Sequence, residues 1–318
     1  MDSIQQISPT FYLKRQVSIL KKNILLMLFI CFAMQTFAQN NDTVSSVIAD
    51  GAKPQLISDQ FKFTEGPAAD KYGNVFFTDQ PNNKIWKYDT NGKLSLFMEN
   101  AGRSNGLYFD KKGNLLSAAD EKNQLWSISP AKKVTVLVTD LEGKHFNGPN
   151  DLYAHPRGGI YFTDPYYQRD YWTRTKPEMD WQKVYFLEKG KNVPVAVISN
   201  LKKPNGIIGS PDGKYLYVAD IGDNKTYKYT IAPNGTLIDP QLFINQGSDG
   251  VTLDEKGNIY LTGNGVTVYN SKGEKIEHIP IPAAWTANVT FGGKERNKLF
   301  ITASQSVYIL DMKVRGAK

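Results

Sequence analysis

The stretch DKYGNVFFTD, residues 70–79, joins a turn signal to an alternating apolar strand, and the same pattern recurs along the chain. Aspartate and glycine in a tight turn followed by aromatic and β-branched residues are typical of a strand leaving a turn. Further copies begin at Asp110, His155, Ser210 and Asp254, and a degenerate sixth begins at Lys294. The turn glycines are spaced by 40, 45, 55 and 44 residues, at Gly73, Gly113, Gly158, Gly213 and Gly257. Each unit has room for about four short strands, the content of one propeller blade.

The repeat predicts an all-β fold, a six-bladed β-propeller, in preference to one of five or seven blades. In the first unit, alternation predicts strands over 75–78, 84–88 and 94–98. The sixth unit is one strand short, whereas residues 44–57 form an extra strand-like stretch before the first unit. We therefore expect the ring to be closed by an N-terminal strand that joins the last blade and removes exposed sheet edges. Residues 39–318 are predicted to form a single domain.

The N-terminal segment has the features of a secretory signal. Lys21 and Lys22 precede an apolar run over 24–37, and small residues precede a cleavage point after Ala38. The run is shorter than the roughly 20 residues of a transmembrane helix, so an uncleaved anchor is the less favoured alternative. We expect residues 1–38 to be a signal peptide with extra residues at its start. The mature protein is then exported, periplasmic or secreted, with no membrane attachment.

Charge and cysteine content exclude several functions. Residues 1–38 carry four basic and one acidic residue, so their removal lowers the net charge from +7 to +4. That dispersed charge does not favour a nucleic-acid partner. The only cysteine, Cys31, lies in the signal segment, so the mature chain has neither a disulfide nor a thiol nucleophile.

One polar residue stands in register in every predicted blade, eight residues before each turn glycine. These residues are Glu65, Asn105, Asn150, Asn205 and Asp249, with Asn288 in the sixth unit. Inner strands line the channel of a propeller, so the six side chains should converge at one end. Any one of them alone is more simply a turn former, but the shared register and the glutamate weaken that interpretation. Carboxylates and carboxamides around one axis are the oxygen ligands that a hard divalent cation prefers. Ca²⁺ is the first choice, and Mg²⁺, Mn²⁺ or Zn²⁺ are alternatives.

Other catalytic motifs are missing from the sequence. There is no G-x-S-x-G nucleophile elbow, no phosphate-binding glycine loop and no H-E-x-x-H pair. Of the three histidines, only His145 lies near the predicted mouth of the channel.

The ordered motifs TEGP (64–67), FNGPNDL (146–152), IYFTDP (160–165), KPNG (203–206) and SDGV (248–251) span the mature chain. With them the chain resembles the gluconolactonase, senescence marker protein 30 and luciferin-regenerating enzyme family, and most closely its bacterial and fungal gluconolactonase-like branch. Gly148 replaces a serine that is usual there, and Tyr166 replaces a second proline.

The resemblance implies a six-bladed propeller that hydrolyses sugar lactones with one divalent cation, usually calcium. Carried over by motif, the cation ligands are Glu65, Asn150, Asn205 and Asp249. Asp249 is implied as the general base, and Asp151 matches a position implicated in catalysis or substrate contact. The lowered basicity of a metal-bound carboxylate favours Asp151 as the base, so both assignments stay open. Asn105 is a plausible substrate contact.

The longest spacing between turn glycines contains an insertion over 166–181 that is rich in aromatic residues and arginine. Such side chains suit a sugar-like ligand, although an ordinary packed surface loop is equally compatible. Tyr167, Arg169 and Trp172 are the predicted substrate-side residues. We expect a monomer that acts on a small-molecule lactone. A non-catalytic propeller that binds carbohydrate or protein, and a hydrolase of another ester or phosphotriester, are the alternatives.

Overall fold

Six four-stranded antiparallel sheets make up the computed structural model, which describes residues 46–317. The predicted signal peptide lies outside the described residues. Within 46–317, one 3₁₀ turn, Asp120–Lys122, is the single helical element, and no helix there is long and apolar enough to cross a membrane. The prediction of an all-β six-bladed propeller is confirmed.

The blades follow one another in chain order, each with its first strand innermost. Blade 1 contains Thr64–Ala69 (β2), Val75–Asp79 (β3), Lys84–Tyr88 (β4) and Leu94–Glu99 (β5). Blade 2 contains Ser104–Phe109 (β6), Leu115–Ala119 (β7), Gln124–Ile128 (β8) and Val134–Val138 (β9). Blade 3 contains Leu152–Ala154 (β10), Ile160–Asp164 (β11), Lys183–Leu187 (β12) and Val195–Ile198 (β13).

The second half of the chain repeats this order. Blade 4 contains Pro204–Gly209 (β14), Tyr215–Asp220 (β15), Lys225–Ile231 (β16) and Leu237–Ile244 (β17). Blade 5 contains Val251–Leu253 (β18), Ile259–Gly263 (β19), Gly265–Tyr269 (β20) and Lys275–Ile279 (β21). Blade 6 contains Thr286–Gly292 (β22), Lys298–Ala303 (β23), Ser306–Asp311 (β24) and the N-terminal strand Gln55–Ser58 (β1).

The N-terminal strand is shorter than predicted from the sequence. It pairs antiparallel with β24, with Gln55 opposite Ile309, as the outer strand of the sixth sheet. Before it, Ile48 makes only an isolated bridge to Met312. The alternation over 46–54 therefore marks chain that packs against blade 6 rather than a continuous strand, because Val47 is buried in the core there.

A repeated threonine links neighbouring blades next to the channel. The hydroxyl of Thr78 donates to the backbone oxygen of Asn105 (3.1 Å), and that of Thr163 donates to the backbone oxygen of Asn205 (2.7 Å). Between blades 1 and 6, the Thr64 hydroxyl donates to the Ser306 oxygen (2.8 Å), and Phe77 packs on Phe300 with centroids 5.4 Å apart. Buried threonine hydroxyls need partners, and here the partners fix the positions of the channel-lining strands.

Candidate functional site

The six polar residues predicted from the register all lie at one end of the inner strands. Five of them are buried, each residue being at most 6% exposed, and Asp249 is partly buried. Each stands within the first residues of its inner strand or just before it, because the chain enters every blade at this end. The structure thus brings Glu65, Asn105, Asn150, Asn205, Asp249 and Asn288 to one mouth of the channel.

The residue that follows the polar position is glycine in four blades, and close packing explains why. A methyl group added at Gly66 would lie 2.1 Å from the backbone oxygen of Asn105. At Gly106 it would lie 2.6 Å from the backbone oxygen of Asn150, to which the Gly106 N–H donates a hydrogen bond of 2.7 Å. Gly206 and Gly250 approach blades 5 and 6 in the same way. The ring of polar side chains therefore depends on backbones too close for a Cβ.

A hydrogen-bonded chain connects four residues of the site. The Asn205 side-chain nitrogen donates to Oδ1 of Asp249 (2.8 Å) and to the hydroxyl of Tyr167 (3.0 Å). The indole nitrogen of Trp285 donates to Oδ2 of Asp249 (2.6 Å). Both oxygens of this carboxylate are thereby oriented.

Trp285 has no counterpart in the sequence prediction. It lies three residues before Asn288, the polar position of blade 6, and outside the repeated sequence pattern. No periodic signal in the sequence distinguishes it from an ordinary surface tryptophan.

Three carboxylates of the site repel one another. Burial and the neighbouring Asp249 raise the pKa of Glu65 well above its usual value, Asp151 adds to that rise, and the Arg169 charge opposes it. Burial raises the pKa of Asp249 to about 6, although hydrogen bonds from Trp285 and Asn205 lower it. A positive charge among these groups would relieve both the burial cost and the repulsion.

Asp151 lies one residue beyond the polar ring and has different surroundings. Burial raises the pKa of Asp151 to about 7, against hydrogen bonds from the Leu152 N–H, the Asn288 side chain and the Ile207 backbone. Asp151 and Asn288 both line a cavity of about 1660 Å³ that continues to the other end of the channel. Below them that cavity is lined by apolar residues such as Leu107 and Val251. Asp151 therefore stands between the polar mouth and the apolar part of the channel.

The chemistry of the donor set fits a hard cation. Oδ1 of Asn205 is buried without a hydrogen-bond partner among the described residues. A buried acceptor without a partner destabilises the fold, so a purely structural role does not explain it. Residues 46–317 contain no group of three or more His, Cys, Asp or Glu side chains arranged for a metal. Two of the four residues of the predicted set, Glu65, Asn150, Asn205 and Asp249, are carboxamides and two are carboxylates, which is a composition suited to calcium.

The insertion over 166–181 lies at the same mouth. Tyr167 contacts Asn205 directly, and the Arg169 guanidinium lies over the Tyr167 ring at 5.6 Å. The indole nitrogen of Trp172 donates to the backbone oxygen of Asp120 (3.0 Å), so this ring is part of the packing that anchors the insertion. His145 is bound to Glu178 on the exposed surface and contributes nothing to the polar ring.

Fold and site together define a six-bladed propeller with an oxygen-rich site at one mouth of its channel. A family model described as SMP-30/Gluconolactonase/LRE-like region matches residues 63–305, and the chain belongs to that family. A gluconolactonase from Zymomonas mobilis subsp. mobilis is 28% identical over 301 residues, covering 85% of this chain and 84% of the relative. Lactonase drp35 from Staphylococcus haemolyticus is 27% identical over 249 residues, covering 73% of this chain and 74% of the relative.

A solved structure shows the same fold over most of the chain. A gluconolactonase from Xanthomonas campestris superposes with a TM-score of 0.77 at 25% identity, covering 84% of this chain and 91% of that chain.

Proposed function

We propose that this chain is a lactonase that opens a sugar lactone with the help of one divalent cation, most simply Ca²⁺. The observation that carries the proposal is the oxygen-lined mouth, with the unpartnered Asn205 Oδ1 beside repelling carboxylates, in a chain whose relatives are named gluconolactonase and lactonase. Fold alone supports no reaction, because propellers carry many functions.

The proposed cation ligands are Glu65, Asn150, Asn205 and Asp249. When bound, a divalent cation polarises a carbonyl and stabilises the negative charge that develops on its oxygen. Trp285 and Asn205 orient the Asp249 carboxylate through both of its oxygens. Tyr167 and Arg169 contribute hydroxyl and guanidinium groups at the mouth that suit a polyhydroxylated ring.

Lactone opening also needs a base that takes a proton from the attacking water and returns it to the ring oxygen as the acyl–oxygen bond breaks, and two carboxylates are candidates. Asp249 lies in the polar ring itself, whereas Asp151 lies one residue deeper at the border of the apolar cavity. If Asp151 is the base, Asp151→Asn should lose turnover and keep cation affinity. If Asp249 is both ligand and base, Asp249→Asn should lose both together.

A substrate panel with and without chelator tests the proposal. Purified protein should open glucono-1,5-lactone or a related aldonolactone, and removal of the cation should slow turnover by about a hundredfold or more, because cation polarisation contributes several kcal/mol. Added calcium should restore the rate. Turnover that chelator leaves unchanged would remove the cation from the mechanism. Hydrolysis of aryl esters or phosphotriesters alone would change the substrate class, and binding without any product would make the protein a non-catalytic propeller.

A further inference from the structure

Aspartates at the end of the second strand have a shared structural role in three blades. Each is buried and accepts hydrogen bonds from two consecutive backbone N–H groups of the segment that leads into its own inner strand. These three are Asp79, Asp164 and Asp220. They stabilise the entry to their own blade and need no ligand to explain them.

In blade 2 the equivalent position is Ala119, and Asp120, one residue further along the chain, departs from this pattern. Ala119 ends the strand there, and the hydrogen bonds to the Asp120 carboxylate come from side chains of other elements. Its Oδ2 accepts from Gln80 Nε2 (3.1 Å), Arg169 Nε (2.9 Å) and the Tyr171 hydroxyl (2.6 Å). The Asp120 residue is only 2% exposed, and its carboxylate accepts hydrogen bonds from the insertion and from blade 1.

Gly148 makes room for this contact. A methyl group at that position would lie 2.7 Å from Oδ1 of Asp120 and 3.0 Å from the Trp172 ring, and φ of Gly148 is +150°. A serine side chain at this position would come too close to both groups. The absence of a side chain at Gly148 therefore allows the insertion to pack against Asp120.

Arg169 and Tyr167 connect Asp120 to the site. Nε of the Arg169 guanidinium is bound by Asp120, and the guanidinium lies 5.6 Å from the centroid of the Tyr167 ring, which contacts Asn205 at the mouth. Guanidinium has five N–H donors in a rigid plane, so fixing Nε also fixes the direction of the terminal nitrogens. The Tyr167 hydroxyl accepts a hydrogen bond from the Asn205 side chain, which also donates to Asp249.

We propose that Asp120 is a positioning residue that holds Arg169 and Tyr167 at the mouth, where they bind the hydroxyl groups of a polyhydroxylated lactone. The kinetic consequence rests on the proposed lactone hydrolysis. Asp120 touches neither substrate nor cation and acts through the insertion, so its loss weakens substrate binding more than the chemical step.

The main test is Asp120→Asn, which keeps the size of the side chain and removes its charge. KM for the aldonolactone should rise by about tenfold to a hundredfold, the equivalent of one charge-assisted hydrogen bond, while kcat changes little. Asp254→Asn is the matched control. Asp254 is equally buried (1% exposed) and also accepts a tyrosine hydroxyl (Tyr260, 2.9 Å), but lies at the opposite end of the inner strand. That variant should lose stability and keep KM.

A double-mutant cycle separates positioning from general support. If Asp120 acts through Arg169, Asp120→Asn combined with Arg169→Gln should have the KM of Arg169→Gln alone. Additive effects, or an unchanged KM in Asp120→Asn, would overturn the proposal.

A second readout does not depend on lactone turnover. Trypsin should cut after Arg169 or Arg174 faster in Asp120→Asn and in Gly148→Ser than in Asp254→Asn or the unmodified protein. If no lactone is opened but cleavage accelerates, the proposed function fails and the anchoring of the insertion stands. Cleavage rates equal to those of the control would overturn the role of Asp120 whatever the substrate is.

Discussion

The two ends of the inner strands carry the same types of polar residue, yet the residues have different partners. At the turn end, Asp70 and Asp110 each accept N–H groups two and four residues further along the chain, at 2.8 to 3.0 Å. At the other end, Asn205 leaves one buried oxygen unpartnered, and Glu65 accepts a hydrogen bond from the N–H of Gly66. The turn residues satisfy themselves locally, whereas the mouth residues retain acceptor capacity for a ligand. Partners, rather than residue type, distinguish a turn former from a candidate ligand.

Replacing one carboxylate at each end by its amide is the most severe test of this difference between the mouth and the turn end. Glu65→Gln should lower calcium affinity by more than about a hundredfold and abolish most turnover, because an anionic ligand becomes neutral. Titration calorimetry and the lactonase assay measure the two effects. Asp70→Asn should leave both unchanged, since the Asp70 carboxylate bonds only to residues of its own turn. Equal losses in the two variants would show that the ends do not differ in function.

The turn end of the molecule could be predicted from the sequence almost completely. Strands predicted over 75–78, 84–88 and 94–98 match β3, β4 and β5 to within one residue at their ends. Hairpin turns and the alternation of apolar and polar residues are local properties, so a few consecutive residues are enough to predict them. The register of the six polar residues was visible for the same reason.

The mouth could be predicted only in part, because its geometry depends on contacts between distant segments. Asp120 meets Arg169 across 49 positions of sequence, and Trp285 meets Asp249 across 36. No repeat marks either contact. A missed signal did exist in the glycine that follows the polar residue in four blades, which reports backbones in close approach.

Trp285→Phe tests a contact that only the folded structure reveals. It keeps the aromatic surface and removes the N–H donor to Oδ2 of Asp249, which corresponds to about 1.5–3 kcal/mol for a hydrogen bond to a charged group. We expect kcat/KM to fall by about tenfold to a hundredfold. The thermal midpoint should change little, because the indole is 38% exposed. A variant with unchanged kinetics would show that the orientation of this carboxylate does not limit the reaction.

Two glycine substitutions give the smallest effects and compare the two ends by stability and by turnover. Gly106→Ala places a methyl group 2.6 Å from both Oδ1 of Asp151 and the Asn150 oxygen, and should cost about 1–3 kcal/mol through overpacking. Gly113→Ala meets no atom within 4 Å, but its φ of +82° should cost roughly 1–2 kcal/mol in backbone strain. Denaturant unfolding measures both costs, and turnover distinguishes their causes. Gly106→Ala displaces Asp151 and the ring, so it should also lower turnover, whereas Gly113→Ala should unfold more easily and keep its activity. Lost activity in Gly113→Ala would mean that strain at the turn end reaches the mouth along the inner strand.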